Sequence, residues 1–93
     1  MKVQAQDVPL MPRGVRLHHD RVRDRWVLLA PERTIALDPI GYAILLEIDG
    51  TKSMQTIVAT LAAKYKAPVV QIKVDVLEYV QGLSDRRILA VVA

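Results

Sequence analysis

The sequence predicts an α+β domain in which a three-stranded antiparallel sheet is followed by three helices. Between residues 15 and 37 the apolar residues alternate with polar ones or form a short apolar run, whereas from residue 39 onward they recur at helical spacing. A block of strands followed by a block of helices is typical of the α+β class. The 93 residues make one domain, and thirteen Val, eleven Leu and seven Ile supply an aliphatic core.

Three segments are predicted as strands because turn signals bound them. Residues 15–19 alternate between apolar and polar over their first four positions, which is typical of a half-buried strand. Residues 20–24 are polar and fit a hairpin connection, and the apolar run that follows, residues 25–30, suits a central strand. Residues 34–37 form the third strand, which is short because a proline stands on either side of it.

Three helices are predicted in the second half of the chain. Asp38 is a good N-cap for the first helix, which ends at the Asp-Gly pair at 49–50, since glycine accepts the left-handed conformation that follows a helix. Ser53 caps the second helix. The third helix covers residues 69–85, and residues 88–93 either pack as a short strand or end the chain.

Residues 1–14 are predicted as a flexible N-terminal arm ahead of a domain over residues 15–93. The arm contains two prolines and a glycine and shows no sustained period. Its apolar side chains can dock on the domain or on a second copy of the chain; they are Val3, Val8, Leu10 and Met11. An exposed sheet edge and a loose arm both permit a homodimer formed by strand or arm exchange.

Composition excludes several classes of function. Without cysteine the chain has no disulfide framework, zinc ribbon, iron–sulfur cluster or thiol nucleophile. Its longest apolar run is far shorter than the ~20 residues that span a bilayer, and the N-terminus lacks the apolar region of a signal peptide. We therefore expect a cytoplasmic protein without a membrane partner. No nucleotide-binding or nucleophile motif is present, so we predict a protein that is not an enzyme and needs no metal or cofactor.

A histidine pair offers a catalytic alternative. His18, His19 and Asp20 resemble a metal or acid–base cluster, which would suit a small hydrolytic or lyase accessory protein. Neighbouring side chains of a strand point to opposite faces, so the two histidines are expected to diverge. A solvated or structural role is therefore favoured for both.

Arginine is concentrated in one segment. Residues 13–33 hold six of the eight arginines, and three acidic residues reduce the local charge to +3. The six are Arg13, Arg16, Arg21, Arg23, Arg25 and Arg33. The favoured interpretation is a solvated hairpin with cross-strand charge pairs. A docking patch for an acidic partner surface is the alternative, with nucleic-acid contact as a weaker one.

The second and third helices, joined by a short turn beside a three-stranded sheet, are also compatible with a winged helix-turn-helix protein that binds DNA. A recognition helix presents basic and amide side chains early, where they reach base edges and phosphates. The third helix instead opens on Val69 and Val70, and it carries acids at Asp75 and Glu78. DNA binding therefore stands as the alternative function.

An uncharged sheet edge beside an apolar helix flank is the most informative feature. The third strand, with Thr34, Ile35, Ala36 and Leu37, is expected at the edge of the sheet and contains no charge. The apolar face of the third helix is wider than one side of a small domain requires. Its flank residues either complete the core or line a groove beside the sheet; they are Val70, Val74 and Leu77. Such a groove favours a peptide that adds to the sheet as a strand.

Four stretches of the sequence resemble the PqqD family. The specific one is Arg-Trp-Val-Leu-Leu-Ala-Pro-Glu-Arg at 25–33. The others are Arg-Gly-Val-Arg-Leu at 13–17, Leu-Asp at 37–38 with Gly41 following, and the Asp-Gly pair at 49–50. The resemblance extends over about residues 10–90 and implies a winged-helix-like, peptide-binding domain.

What the resemblance implies is a peptide chaperone, also called a RiPP recognition element. Family members bind the ribosomally made precursor peptide PqqA in the biosynthesis of pyrroloquinoline quinone (PQQ). They present it to PqqE, a radical S-adenosylmethionine enzyme that cross-links a Glu and a Tyr of the peptide. No catalysis, cofactor or nucleic acid is implied for this chain, although quinone binding is among the family's attributes.

The resemblance also implies where the peptide lies, as a strand added to the third strand against the third helix. Carried onto this sequence, the edge is Thr34, Ile35, Ala36 and Leu37. We predict the helix side of the groove from the flank residues Val70, Val74 and Leu77, with Ile72 and Val76 as further candidates. The arginine-rich hairpin is then the candidate surface for docking the enzyme.

Overall fold

The computed structural model describes residues 2–93, in which five strands and three helices follow one another. They are β1 (Val8–Leu10), β2 (Arg16–Asp20), β3 (Arg25–Ala30), β4 (Arg33–Ala36), α1 (Pro39–Leu46), α2 (Met54–Tyr65), α3 (Val69–Asp85) and β5 (Ala90–Val92). The order β2-β3-β4 makes a three-stranded antiparallel sheet, and β1 pairs antiparallel with β5 in a separate ribbon. The predicted α+β class, with a sheet followed by three helices, is confirmed.

The central strand of the sheet is β3, as its apolar sequence predicts. Leu28 of β3 lies opposite Leu17 of β2 and Ile35 of β4. Directly paired residues share a face, so these three side chains point to the same side. Leu28 is fully buried in the core there, and the other two pack against the same core. The alternate residues of the three strands, including Val27, form the opposite face, which we call the outer face.

Side-chain capping explains where α1 and α2 begin. The Asp38 carboxylate accepts a hydrogen bond from the Gly41 amide at 2.6 Å, and the Ser53 hydroxyl accepts one from the Thr56 amide at 3.2 Å. Each bond satisfies an amide that the first turn of a helix leaves without a partner. α2 ends at Tyr65, and its C-cap residue Lys66 has a left-handed backbone with a φ of 51°. The two N-caps, Asp38 and Ser53, were predicted from the sequence.

The first helix is shorter than predicted, because it ends at Leu46 rather than at the Asp-Gly pair. The amide of Ile48 bonds to the carbonyl of Leu45, three residues back, so the last turn tightens and stops. The following turn is closed by Asp49, whose carboxylate accepts hydrogen bonds from the Thr51 side chain and from two backbone amides. These bonds lower the pKa of Asp49 to about 2.

The N-terminal segment packs on the domain, where the sequence predicts a flexible arm over residues 1–14. Val3 is buried in the core cluster, and the strand formed by residues 8–10 pairs with β5. The carbonyls of Asp7 and Ala5 each accept a hydrogen bond at 2.8 Å from the first two amides of α2. Those amides lack partners within the helix, so the segment completes the start of α2. Met1, which the predicted arm includes, lies outside the described residues.

The core lies between the inner face of the sheet and the three helices. Its largest fully buried side chains include Leu28, Leu45, Met54 and Ile57. Burying a side chain of this size contributes roughly 1.5–3 kcal/mol to the free energy of unfolding. In the described part of the chain, no helix has the length and apolar character needed to cross a membrane.

Candidate functional site

The candidate site begins at the open edge of β4. The amide of Leu37 donates a hydrogen bond to the carbonyl of Trp26. Bonded and non-bonded pairs alternate along an antiparallel ladder, so the register places Ile35 in the next bonded pair, with Leu28. Thr34 and Ala36 then fall in the non-bonded pairs. Their backbone N–H and C=O groups point away from β3, at the edge where no strand of the described chain pairs.

Side chains of this strand divide between the two faces of the sheet. Ile35 and Leu37 are partly buried and pack against the core. Thr34 and Ala36 are exposed on the outer face. Three of the four predicted edge residues lie in β4 and Leu37 follows it, whereas the strand begins at Arg33 and so carries a charge that the predicted bounds left out. Thr34 and Ala36 offer free backbone groups to an incoming strand.

A groove runs along one flank of α3 and starts where β4 ends. One part is a hollow of about 200 Å³ between the three helices. It is lined by Pro39, Ile40, Ala43, Ile44, Leu61, Tyr65, Ile72, Asp75 and Val76. A second hollow shares Ile40, Ile44 and Asp75 with it and adds Asp38, Gly41, Glu78 and Tyr79. We call the two together the α1–α3 groove. Asp38 lies only two residues after the end of β4, so the groove adjoins the strand edge.

The groove has an apolar floor and a polar rim. Ile40 is 64% exposed and Tyr65 is 53% exposed, although both are large apolar side chains on helices. The rim contains the carboxylates of Asp38, Asp75 and Glu78. An apolar trough with a polar margin is suited to the alternate side chains of an extended peptide.

Tyr79 forms part of the wall and stands over the start of α1. A Cβ added to Gly41 would lie 2.6 Å from the Tyr79 hydroxyl, so this contact requires a residue without a side chain. Burial raises the pKa of Tyr79, and the negative charge of Asp38 raises it further. The phenol therefore stays neutral throughout the physiological range and presents a hydrogen-bonding hydroxyl to the groove.

The predicted residues of α3 lie on two different flanks of the helix. Ile72 and Val76 line the α1–α3 groove. Leu77 lies in a separate hollow on the other flank, which we call the α2–α3 hollow. Its lining residues are Ala5, Met54, Gln55, Val58, Ala59, Val69, Lys73 and Leu77. Val70 and Val74 are exposed, at 76% and 47%, and line neither the groove nor that hollow.

Sequence reasoning missed the contribution of α1 and of Tyr79 to the groove. In the sequence, Ile40 and Ile44 belong to an apolar stripe at helical spacing, which is typical of a face turned to the core, and Ile44 is indeed buried. Gly41 was the available signal, because a glycine in the first turn of a helix marks a close approach by another group. Here that group is the Tyr79 side chain.

The other sequence-predicted clusters are not brought into the groove. His18 lies on the outer face of the sheet, whereas His19 points to the inner side and contacts Trp26, with ring centroids 5.1 Å apart. The His19 ring also lies 3.2 Å from the Asp24 carboxylate. Among residues 2–93, no group of three potential metal-ligating side chains converges on one point.

Comparisons with known proteins find one family. Residues 25–89 match the family described as coenzyme PQQ synthesis protein D (PqqD). The PqqA binding protein of Xanthomonas campestris pv. campestris (strain 8004) is 44% identical over 87 residues, which cover 94% of this chain and 95% of that protein. The PqqA binding protein of Rhizobium meliloti (strain 1021) is 47% identical over 90 residues, covering 97% and 92% of the two chains.

A solved structure shares the whole architecture. It is the solution structure of the PqqD truncation of Methylobacterium extorquens PqqCD, described as a functional and stand-alone RiPP recognition element. The two superpose with a TM-score of 0.81 at 42% sequence identity, over 95% of this chain and 94% of that one. The likeness therefore extends over nearly the whole fold.

Proposed function

The chain belongs to the PqqD family, and from this premise we propose that it binds the precursor peptide PqqA by strand addition and presents it to the radical S-adenosylmethionine enzyme PqqE. The single observation that carries the proposal is the open edge of β4, which adjoins an apolar groove on α3. The family's relatives are named for PqqA binding, which supports the same peptide as the occupant.

The edge supplies affinity that does not depend on the peptide's sequence. Thr34 and Ala36 each offer one N–H and one C=O to an added strand, as the register places them. Each backbone hydrogen bond contributes roughly 0.5–1.5 kcal/mol net. Hydrogen bonds of this kind hold any extended peptide, so they fix its path along β4 and leave selectivity to the groove.

The groove supplies selectivity through alternate side chains. Successive residues of the added strand point to opposite faces, so every second side chain turns toward the helices. We propose that these side chains contact Ile40, Ile72 and Val76 on the floor and Tyr79 on the wall. The competing prediction is that the peptide contacts α3 through Val70, Val74 and Leu77 instead.

The proposed role needs no chemistry from this protein. A flexible peptide loses conformational entropy when it is ordered, and a preformed edge and groove offset that cost. The bound peptide is then held at high local concentration beside the enzyme. We propose that the chain acts as a non-catalytic carrier without a cofactor, in the cytoplasm where the ribosomal peptide is made.

The direct test is calorimetric titration of the protein with synthetic PqqA from the same organism. We expect saturable one-to-one binding and faster cross-linking of PqqA by PqqE when the protein is added. A scrambled peptide of the same composition serves as the control. The proposal is wrong if PqqA binds no more tightly than the scrambled peptide, or if the protein binds duplex DNA instead.

A further inference from the structure

The outer face of the β2-β3-β4 sheet carries a set of arginines that the peptide site does not use. Paired residues share a face, so Arg16 and Arg25 lie on the same side as Val27 and away from the buried Leu28. Both arginines are exposed. Two more arginines, at positions 21 and 23, lie in the turn that joins β2 to β3.

The acidic residues of this hairpin are engaged locally. The Asp20 carboxylate accepts hydrogen bonds from the amides of Val22 and Arg23 and lies 3.8 Å from the Arg23 guanidinium. Asp24 lies 3.2 Å from the His19 ring. In the described chain, Arg16, Arg21 and Arg25 have no carboxylate within 4.0 Å. The cross-strand charge pairing expected for a merely solvated hairpin is therefore largely absent.

Apolar surface accompanies these charges. Val22, at the tip of the hairpin, is 94% exposed. On the outer face, Leu29 is partly exposed, whereas Val27 beside it is 2% exposed and contributes no surface. Exposed apolar side chains with arginines around them are typical of a protein docking surface, where arginine is enriched.

The outer face is continuous with the peptide site. Thr34 and Ala36 of β4 point to the same face as Arg16 and His18. A peptide strand added to β4 would extend this sheet to four strands and turn every second side chain outward. A protein docked on the outer face would therefore lie directly beside the bound peptide.

We propose that the outer face, with Arg16, Arg25 and the hairpin tip, docks an acidic surface of the modifying enzyme. This inference rests on the proposed function, since it takes PqqE as the partner. Asp20 lies opposite Arg25 on this face, but the arginines of the face and of the hairpin tip outnumber it. This excess of positive charge is complementary to an acidic partner surface, which accelerates encounter and fixes orientation. Docking here leaves the α1–α3 groove free for the side chains that face the helices.

The test is a charge reversal on the outer face, measured on two ligands separately. The variant Arg16→Glu/Arg25→Glu is compared with Arg86→Glu/Arg87→Glu, which changes the charge by the same amount at two exposed positions at the C-terminal end of α3. Affinity for isolated PqqE is measured at low and high salt, and affinity for synthetic PqqA is measured without the enzyme. Arg16→Gln/Arg25→Gln, which keeps most of each side chain, is carried as the variant least disturbing to folding.

We expect Arg16→Glu/Arg25→Glu to weaken PqqE binding at least tenfold, which corresponds to about 1.4 kcal/mol of binding free energy. The reason is that each reversed charge on a complementary surface turns an attraction into a repulsion. Arg16→Gln/Arg25→Gln loses less of the PqqE affinity, and the affinity that remains depends less on salt. PqqA affinity stays within about twofold of the parent for all variants, as does PqqE affinity for the α3 control.

Either of two results overturns the inference. One is an outer-face variant, folded by circular dichroism, that keeps the parent's affinity for PqqE. The other is a salt-dependent affinity for duplex DNA that the reversal abolishes while PqqE binding is unchanged. Because PqqA binding is measured alone, a failure of the peptide-binding function shows as lost PqqA affinity in the parent protein itself.

Discussion

The two flanks of α3 look alike in the sequence but differ in the structure. Both carry apolar side chains, with Ile72 and Tyr79 on one flank and Val69 and Leu77 on the other. The first flank faces α1 and adjoins the open edge of β4, so a strand and a groove meet there. The second faces the start of α2 and the N-terminal segment, which includes Ala5.

The difference between the flanks shows that a peptide site needs more than apolar surface. The α2–α3 hollow has apolar lining, but backbone groups of the N-terminal segment beside it are already paired, since the carbonyls of Ala5 and Asp7 accept hydrogen bonds from the first two amides of α2. The α1–α3 groove has both the lining and free backbone groups. Strand addition requires the two together.

Blocking the edge should have the largest effect. Ala36→Pro removes an N–H that points away from β3, so the internal ladder keeps its bonds while the added strand loses one and meets the proline ring. We expect PqqA affinity to fall by ~100-fold, as the lost bond and the steric clash together exceed 2 kcal/mol. Calorimetry measures the loss, and circular dichroism checks the fold.

The matched control for that prediction is Ala36→Ser, which keeps the N–H at the same exposed position. It should bind PqqA like the parent. If folded Ala36→Pro also binds like the parent, the peptide does not use this edge, and the contrast between the flanks loses its basis.

Polar substitution of one exposed apolar residue inside the groove and of one outside it comes next. Ile40 is 64% exposed in the groove and Val70 is 76% exposed on α3 outside both hollows, so the free protein tolerates a polar side chain at either position. We expect Ile40→Gln to weaken PqqA binding about tenfold, since an apolar contact of roughly 1–2 kcal/mol is lost. Val70→Gln should stay within about twofold. If Val70→Gln weakens PqqA binding more than Ile40→Gln does in a binding titration, the peptide contacts the Val70 side of α3 and not the groove.

Alanine substitution at Gly41 and at Gly82 should have smaller effects, which differ between stability and PqqA binding. In Gly41→Ala the new Cβ meets the Tyr79 hydroxyl at 2.6 Å and displaces it from the groove wall, whereas at Gly82 no atom lies within 4 Å of an added Cβ. Alanine stabilises a helix by about 1 kcal/mol relative to glycine. We therefore expect Gly82→Ala to raise the free energy of unfolding by that amount without changing PqqA affinity.

For Gly41→Ala the helical gain is offset by the displaced tyrosine, so stability changes little while PqqA affinity falls about threefold. Thermal melts and calorimetry on the two variants separate these effects. Equal behaviour of both variants in the binding assay would show that Tyr79 has no part in the site.

The smallest expected effect is the loss of stability when the Tyr79 phenol ionises at alkaline pH. Burial and the charge of Asp38 raise the pKa of Tyr79 above its ordinary value of 10.0. The unfolded chain therefore loses this proton first, and stability declines as the pH rises from about 10 through the folded-state pKa. In denaturant titrations at alkaline pH, the parent should lose stability more steeply than Tyr79→Phe. Parallel declines would contradict the buried setting of this phenol.

Much of the fold could be predicted because its signals are local. Asp38 and Ser53 mark the helix starts by side-chain hydrogen bonds to amides three residues along the chain. The order of strands and the exposure of the β4 edge followed from the alternation of apolar residues and from the prolines around the third strand. These features depend on few residues, which lie close together in the sequence.

The features that sequence reasoning missed depend on distant contacts. Residues 2–14 pack on the domain through backbone carbonyls that bond to α2 and through pairing with β5, and neither leaves a residue-type signal. The position of α1 decides which side of α3 forms the groove, so hydrophobicity alone ranked Val70 and Val74 ahead of Ile72 and Val76, which line the groove in the structure. Only the arrangement of the helices separates them.

The most direct test of strand addition at β4 is a titration of isotopically labelled protein with PqqA, followed through backbone amide chemical shifts. We predict the largest shifts at Thr34 and Ala36, at the start of α1 and at the α3 residues that face the groove, with little change around Val70 and Val74. Shifts confined to the second flank of α3 or to the arginine-rich hairpin, with β4 unchanged, would contradict the account.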